Sequence, residues 1–238
     1  MAIYKTKGII IVENFVNDYD KMLVMLTPEL GKISCSAKGA RRNKSALLAS
    51  SQFLCFGEYI LYKNPTSDIY SINSCDIIEV FYNIRIDLEK LELVSEITKI
   101  IQKVSTENED NAKLLQLYLN TLYVISEKDK NTDLVLAVFK MRLLSILGFA
   151  PNILKCTECG TSDDLNFFSF KGKGFKCPIC RTQDKGGMNI LEVTKNAIQY
   201  SICSEPKKLY SFEIPSEAIQ EFKIVSDLYF RLIGDGLF

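Results

Sequence analysis

Histidine is missing from all 238 residues. That removes the side chain most often used as a general base near neutral pH, and with it every serine or cysteine triad that depends on an imidazole. A Walker loop, a G-x-G-x-x-G turn and a nucleophile elbow are absent too, so nothing marks a nucleotide-binding turn or a hydrolase of the usual kind. No internal repeat or low-complexity tract interrupts the chain. No apolar run approaches the roughly twenty residues that a membrane helix needs. The first residues do not read as a signal peptide, and the expectation is a cytoplasmic protein, where disulfides are rare. Net charge is lacking as well: 29 Lys plus Arg balance 29 Asp plus Glu, so whole-chain electrostatics select no partner.

What is present is ordinary in bulk, 47% hydrophobic and 24% charged, as expected of a globular chain able to bury a sizeable core. The informative residues are four of the eight cysteines. Cys156-Thr157-Glu158-Cys159 and Cys177-Pro178-Ile179-Cys180 are two C-x2-C knuckles separated by 17 residues. Knuckles so spaced turn two thiolates each toward one tetrahedral ion, and four thiolates close its coordination sphere. We read one structural Zn2+ held by Cys156, Cys159, Cys177 and Cys180, with two disulfides or one redox pair as the competing readings. Lys155, Lys176 and Arg181 adjoin the ligands and are expected to favour thiolate over thiol. The remaining cysteines, Cys35, Cys55, Cys75 and Cys203, are far apart in apolar sequence and are expected to be buried free thiols.

From Ile3 to about Val80 short β-like runs alternate with turn residues. Gly8–Val12, Lys21–Thr27, Lys32–Lys38, Phe53–Lys63 and Ile69–Val80 make five strands, enough for a small closed barrel that leaves no open edge. A five-stranded OB barrel is the first choice and an SH3-like barrel the second. Between the third and fourth strands, Lys38, Arg41, Arg42 and Lys44 put four cations within seven residues, and no acid occurs from Lys32 to Ser51. Such a loop attracts a phosphate backbone, although a solvated basic loop reads the same way. Phe53, Phe56, Tyr59 and Tyr62 follow; aromatics there either stack bases or fill the core.

After Val80 the period becomes helical. Leu88, Leu91, Val94, Ile97, Ile101 and Val104 give one amphipathic helix, Ala112 to Ser126 a second, and Asp133 to Leu147, apolar on nearly every side, a central third ended by Gly148. Helices resume over Glu192 to Cys203 and from Ser216, a candidate N-cap, with Ile219, Phe222, Val225, Leu228 and Leu232 as the last buried stripe. Within the cysteine lobe, Leu165–Phe170 reads as a strand and Lys171–Gly174 as a hairpin turn. Lys171, Lys173 and Lys176 add to its positive charge. The expected architecture is α+β and multidomain: an OB-fold barrel over residues 1–80, an all-α helical domain over 81–151 and 188–238, and a zinc finger inserted at 152–187.

This arrangement resembles the bacterial RecO family of recombination mediators along essentially the whole chain. The resemblance rests on Lys7-Gly8-Ile9-Ile10, Leu26-Thr27-Pro28-Glu29-Leu30-Gly31, Lys38-Gly39-Ala40-Arg41-Arg42, and Phe139 to Leu147 running into Gly148-Phe149-Ala150-Pro151 before the first knuckle. It implies an OB-fold, a helical domain with an inserted zinc finger, and no hydrolytic activity. It further implies binding of single- and double-stranded DNA, ATP-independent annealing of complementary strands, and, with RecR, help in loading RecA on DNA coated by single-strand binding protein. Location would be cytoplasmic, at the nucleoid. By position, Lys38, Arg41 and Arg42 match the family's basic loop and the four knuckle cysteines its metal ligands; Lys44 and the lobe lysines are charge-based additions.

The family commonly carries arginines after the first strand, where this chain has Val12-Glu13-Asn14, so weaker DNA affinity is expected on that side. Docking of the single-strand binding protein's acidic tail would suit an apolar pocket rimmed by cations, for which Lys140 and Arg142 on the central helix are candidates beside the plainer reading that they solvate a helix face. Two rivals stand against the mediator. A zinc-supported nuclease needs a carboxylate cluster that the sequence does not show; a zinc-finger adaptor or transcription-type protein would use the finger for protein contacts.

Overall fold

The computed structural model describes residues 2–234. Contacts divide the chain into two compact units, Met1–Ser126 and Glu127–Phe238. The helical stretch expected over 81–151 is shared between them.

The first unit opens with five strands, β1 (Ala2–Phe15), β2 (Lys21–Leu26), β3 (Lys32–Ala37), β4 (Phe56–Lys63) and β5 (Tyr70–Glu79). They close as β1-β2-β3-β5-β4, with β4 returning to β1. Only β3 and β5 run parallel, at Cys35↔Tyr70 and Ser36↔Ser71, and this gives the five-stranded barrel an OB-fold strand order. β1 is long enough to serve two neighbours: its first half pairs with β4 and its second half with β2, with a register shift between Ile10 and Val12 where it bends. Alternate residues point inward, so Ile10, Leu23, Met25, Ile33, Cys35, Tyr59, Leu61 and Ile72 fill the barrel. Each such aliphatic or aromatic side chain contributes roughly 1.5–3 kcal/mol by leaving water. Tyr59 settles the aromatic question for its own position: it is wholly buried, and its hydroxyl donates to the Ser50 carbonyl at 2.8 Å. Phe53, Phe56 and Tyr62 are half-buried.

Three helices complete this unit: α1 (Tyr82–Arg85), α2 (Leu88–Val104) and α3 (Ala112–Glu127). Asp87 caps α2 by accepting from the Lys90 N–H, and Val94, Ile97, Thr98 and Ile101 form its buried face. Leu88, expected on that face, is exposed in the first turn. The helix is tied to the barrel through the backbone. Lys32 N–H donates to the Thr106 carbonyl at 2.8 Å, and Lys32 Nζ to the Gln102 carbonyl at 2.8 Å. Gly31 makes this approach possible. Its φ of +68° suits a residue without Cβ, and a Cβ there would lie 2.3 Å from the Thr106 oxygen. Tyr118 of α3, fully buried, meets Thr98 of α2 at 2.6 Å.

The second unit is built on α4 (Thr132–Ile146), buried on nearly every side from Leu134 to Leu144. Asn131 caps its start, and Gly148 (φ +84°) ends it as the Phe149 N–H reaches back to the Leu144 carbonyl at 2.7 Å. Then come β6 (Phe167–Ser169), β7 (Gly174–Lys176), α5 (Pro178–Arg181), β8 (Gly187–Asn189), α6 (Glu192–Cys203) and α7 (Ser216–Gly234). The last two pack on α4. On α7 the buried line passes through Ile219, Phe222, Val225, Tyr229 and Ile233, while Leu228 and Leu232 are exposed. The expected stripe held at its start and drifted off the buried face, because steps of three and four must alternate to track a 3.6-residue period. Ser216 lies inside the first turn, and the Pro215 carbonyl accepts the first bond, from the Ile219 N–H. Cys203 is exposed and Cys75 half-buried, whereas Cys35 and Cys55 are buried as expected.

Candidate metal centre and nucleic-acid interface

The cysteine lobe is a three-stranded sheet of order β7-β6-β8. Its β6–β7 turn is the expected hairpin; β8 is an addition the sequence did not show. Phe168 and Phe175 are wholly buried with ring centroids 5.7 Å apart, and Phe168 also meets Tyr229 of α7 edge to face at 5.5 Å. The lobe therefore borrows core from the helices. Gly174, at φ +158°, lies against the preceding segment, where a Cβ would come within 2.4 Å of the Asn152 oxygen. The Asn152–Lys173 and Phe175–Asn152 main-chain bonds, 2.9 and 3.0 Å, hold that segment beside β7, and the first knuckle follows it directly.

The four Sγ atoms of Cys156, Cys159, Cys177 and Cys180 lie within 4.8 Å of one another, and none is in a disulfide. Cys159 Sγ and Cys177 Sγ are 3.7 Å apart. A tetrahedron with metal–sulfur bonds of about 2.3 Å has sulfur–sulfur edges of about 3.8 Å, so the donor set fits one tetrathiolate-bound ion. Burial works against ionising Cys156, but the main-chain N–H groups of Cys159, Cys177 and Glu158 point at its sulfur and draw its pKa down to about 6. The Cys180 N–H acts likewise on Cys177. Burial, with the neighbouring sulfurs, pushes Cys180 up to about 12. Thiolates crowded in this way need a cation among them. Backbone N–H groups prepare Cys156 and Cys177, while two of the flanking cations are engaged elsewhere: Lys176 Nζ is held by Glu158 at 2.9 Å and Asp184 at 3.1 Å, and Arg181 donates to Asn189.

The basic loop forms the first part of the long β3–β4 connection. Its inner residues Ala40, Leu47 and Leu54 are buried, and Lys38, Arg41, Arg42 and Lys44 are all exposed. The loop is pinned to the β1–β2 turn. Gly39 N–H donates to Asp20 Oδ1 at 2.7 Å, Arg41 N–H to the Tyr19 carbonyl at 3.0 Å, and Arg41 Nη1 to the Asn17 carbonyl at 2.8 Å. The Gly39 N–H in turn holds the Asp20 carboxyl below its usual range. Arg41 and Arg42 lie over the rings of Phe15 and Tyr19, with centroid distances of 4.4 and 5.1 Å. These two rings, at the β1–β2 turn, were not anticipated from the sequence; the signal available was a pair of aromatics in a polar turn. Glu13 is no bare acid on this side: its carboxylate pairs with Lys21 at 2.7 Å and accepts from the Phe53 N–H at 2.9 Å.

In the lobe, Lys171 and Lys173 are exposed, whereas the charge of Lys176 is already matched by its two carboxylates. Lys140 and Arg142 make internal contacts. Lys140 is buried on α4 with Nζ 2.8 Å from Asp227 of α7, and Arg142 donates to the carbonyls of Ile202 and Ser204 at the end of α6. The structure brings Lys38, Arg41, Arg42 and Lys44 into one loop and the four cysteines into one cluster. No helix among the described residues is long and apolar enough to cross a membrane.

These features define a barrel protein with an exposed cationic loop and a metal-competent cysteine lobe, and comparison with known proteins places it more closely. The family model Recombination protein O N terminal matches residues 1–81, and Recombination protein O C terminal matches residues 85–232. The DNA repair protein RecO of Acetivibrio thermocellus is 41% identical to this chain over 97% of its length and 92% of the relative's. RecO proteins of Caldicellulosiruptor bescii and Alkaliphilus metalliredigens are 31% and 29% identical, over 98% and 88% of this chain and 94% and 85% of theirs. The chain belongs to the recombination protein O family.

Proposed function

We propose that this chain is a DNA repair and homologous-recombination mediator that binds single- and double-stranded DNA and anneals complementary strands without ATP. The observation that carries this reading is the cationic loop, pinned by its backbone to the β1–β2 turn of an OB barrel and exposing all four of its charges. OB folds use their strand-connecting loops to hold oligonucleotides. Lys38, Arg41, Arg42 and Lys44 would grip phosphates, with Lys171 and Lys173 as a second, weaker set and Lys176 largely spent within the lobe. Two cationic loops can each hold a strand, screening repulsion and raising effective concentration, while base pairing supplies the free energy.

In this division of labour, residues 1–80 bind DNA, 81–151 with 188–238 form the helical scaffold, and 152–187 are a zinc finger. One Zn2+ on Cys156, Cys159, Cys177 and Cys180 would be structural: four thiolates fill a tetrahedral sphere and leave no position for substrate, which supports a non-enzymatic protein. We further propose that the chain works in the cytoplasm at the nucleoid, and with RecR helps load RecA on DNA coated by single-strand binding protein, docking on that protein's acidic tail. The contacts of Lys140 and Arg142 support an internal role for those two, so the docking residues are sought elsewhere.

The test is annealing of strands coated with single-strand binding protein, whole or lacking its tail, with and without RecR. Annealing that depends on the tail supports the mediator. Indifference to the tail removes the docking step. DNA binding without annealing would favour an adaptor or transcription-type protein.

A further inference from the structure

Phosphate contacts hold DNA but do not distinguish an unpaired strand from a duplex. The β1–β2 turn carries something that can. Phe15, Val16 and Tyr19 are 64%, 60% and 53% exposed, although large apolar side chains are usually placed inside. Phe15 stays this exposed with Arg41 over its ring and Lys21 Nζ 5.9 Å from its centroid, and Tyr19 with Arg42 over its ring, so each ring carries a guanidinium and keeps open surface besides. The positions are fixed by main-chain bonds from Gly39 and Arg41 to Asp20 and Tyr19. The nearby acids are Glu13, Asp18 and Asp20; Glu13 pairs with Lys21, and the Asp20 carboxylate is taken up by Gly39 N–H and Asn17.

We infer that Phe15 and Tyr19, each backed by an arginine, form a platform on which unpaired bases stack, so that this loop selects single-stranded nucleic acid over duplex. The inference rests on the DNA-binding reading above. A base in a duplex has both faces covered by its neighbours, whereas an unpaired base offers a face to a ring; such stacking tolerates any sequence, and arginine strengthens it. The occupant follows from charge complementarity: Arg41 and Arg42 lie over the rings, Lys38 and Lys44 are exposed on the same loop, and together the four call for a polyanion. Arginine and lysine thus set total affinity and salt dependence, and the rings set the preference for unpaired strand.

The chain has no tryptophan. Phe15→Trp and Tyr19→Trp therefore each create a single fluorescent reporter at a surface position. Titration is made with oligothymidylate, with a strand of equal length lacking bases, and with duplex. Stacking predicts quenching by oligothymidylate and none by the abasic strand. Phe15→Ala and Tyr19→Ala each weaken oligothymidylate binding by roughly 5- to 150-fold, leaving abasic-strand affinity, duplex affinity and salt slope unchanged. Phe15→Leu, which keeps an apolar side chain without a π-face, behaves like the alanine variant. If the parent binds oligothymidylate and the abasic strand equally, or the alanine variants lose both equally, the platform is wrong while DNA binding stands. If the parent binds none of the three, the DNA-binding reading falls and takes this inference with it.

Discussion

Replacing Arg41 and Arg42 together with alanine removes two guanidinium groups that are exposed and that no carboxylate holds in a salt bridge among the described residues. Arg41 spends one donor on the Asn17 carbonyl, and each arginine rests on an aromatic ring, so both charges remain available to phosphate. Each neutralised phosphate contributes about 0.7 to the slope of log affinity against log salt on a single strand, and about 0.9 on duplex. Losing two contacts should flatten the slope by about 1.4 on a single strand and about 1.8 on duplex. A fourfold rise in salt then costs the variant roughly seven- to twelvefold less affinity than it costs the parent. Because the side chains are on the surface, the fold should hold and melting should stay near the parent's. The assay is fluorescence anisotropy of labelled oligonucleotides across a salt series, with circular dichroism as the fold control. An unchanged slope, or weaker binding at the same slope, would refute the assignment of phosphate contacts to this loop.

Cys177→Ser should lower bound zinc in the purified protein and raise hydrogen exchange over residues 152–187, including the Phe168 contact with Tyr229, while the barrel stays protected. Metal analysis showing no zinc in the parent would contradict the assigned ion. Arg142→Ala leaves the Ile202 and Ser204 carbonyls without their guanidinium and should cost about 1 kcal/mol in urea unfolding, with affinity for an acidic partner peptide unchanged. Unchanged stability with lost peptide affinity would instead make Arg142 a docking residue.

Legibility followed how local each signal was. The cysteine cluster was readable because two knuckles and their spacing report a metal site directly, and the barrel because alternation and turn residues mark strands one at a time. The central character of α4 was plain from its lack of any polar face. Elements of three or four residues, such as α1, α5 and β8, are too short to show a period. The attachment of α2 to the barrel was hidden, since it joins the neighbours Gly31 and Lys32 to Thr106, far away in sequence, and mostly through backbone. The same holds at the interface. The cations were visible as a run, but Phe15 and Tyr19 join them only because the β1–β2 turn folds against the β3–β4 connection. Glu13 is a related case: its partners Lys21 and Phe53 come from other segments, so the sequence displayed the acid without its pairing.

The most direct test of the central claim is annealing of two naked complementary oligonucleotides by the purified chain with no nucleotide present, followed by fluorescence energy transfer between labels on the two strands. The chain should accelerate annealing above the spontaneous rate, added ATP should change nothing, and the acceleration should fade as salt rises and as Arg41 and Arg42 are removed. Annealing no faster than that of the strands alone, or acceleration that requires ATP, would contradict it.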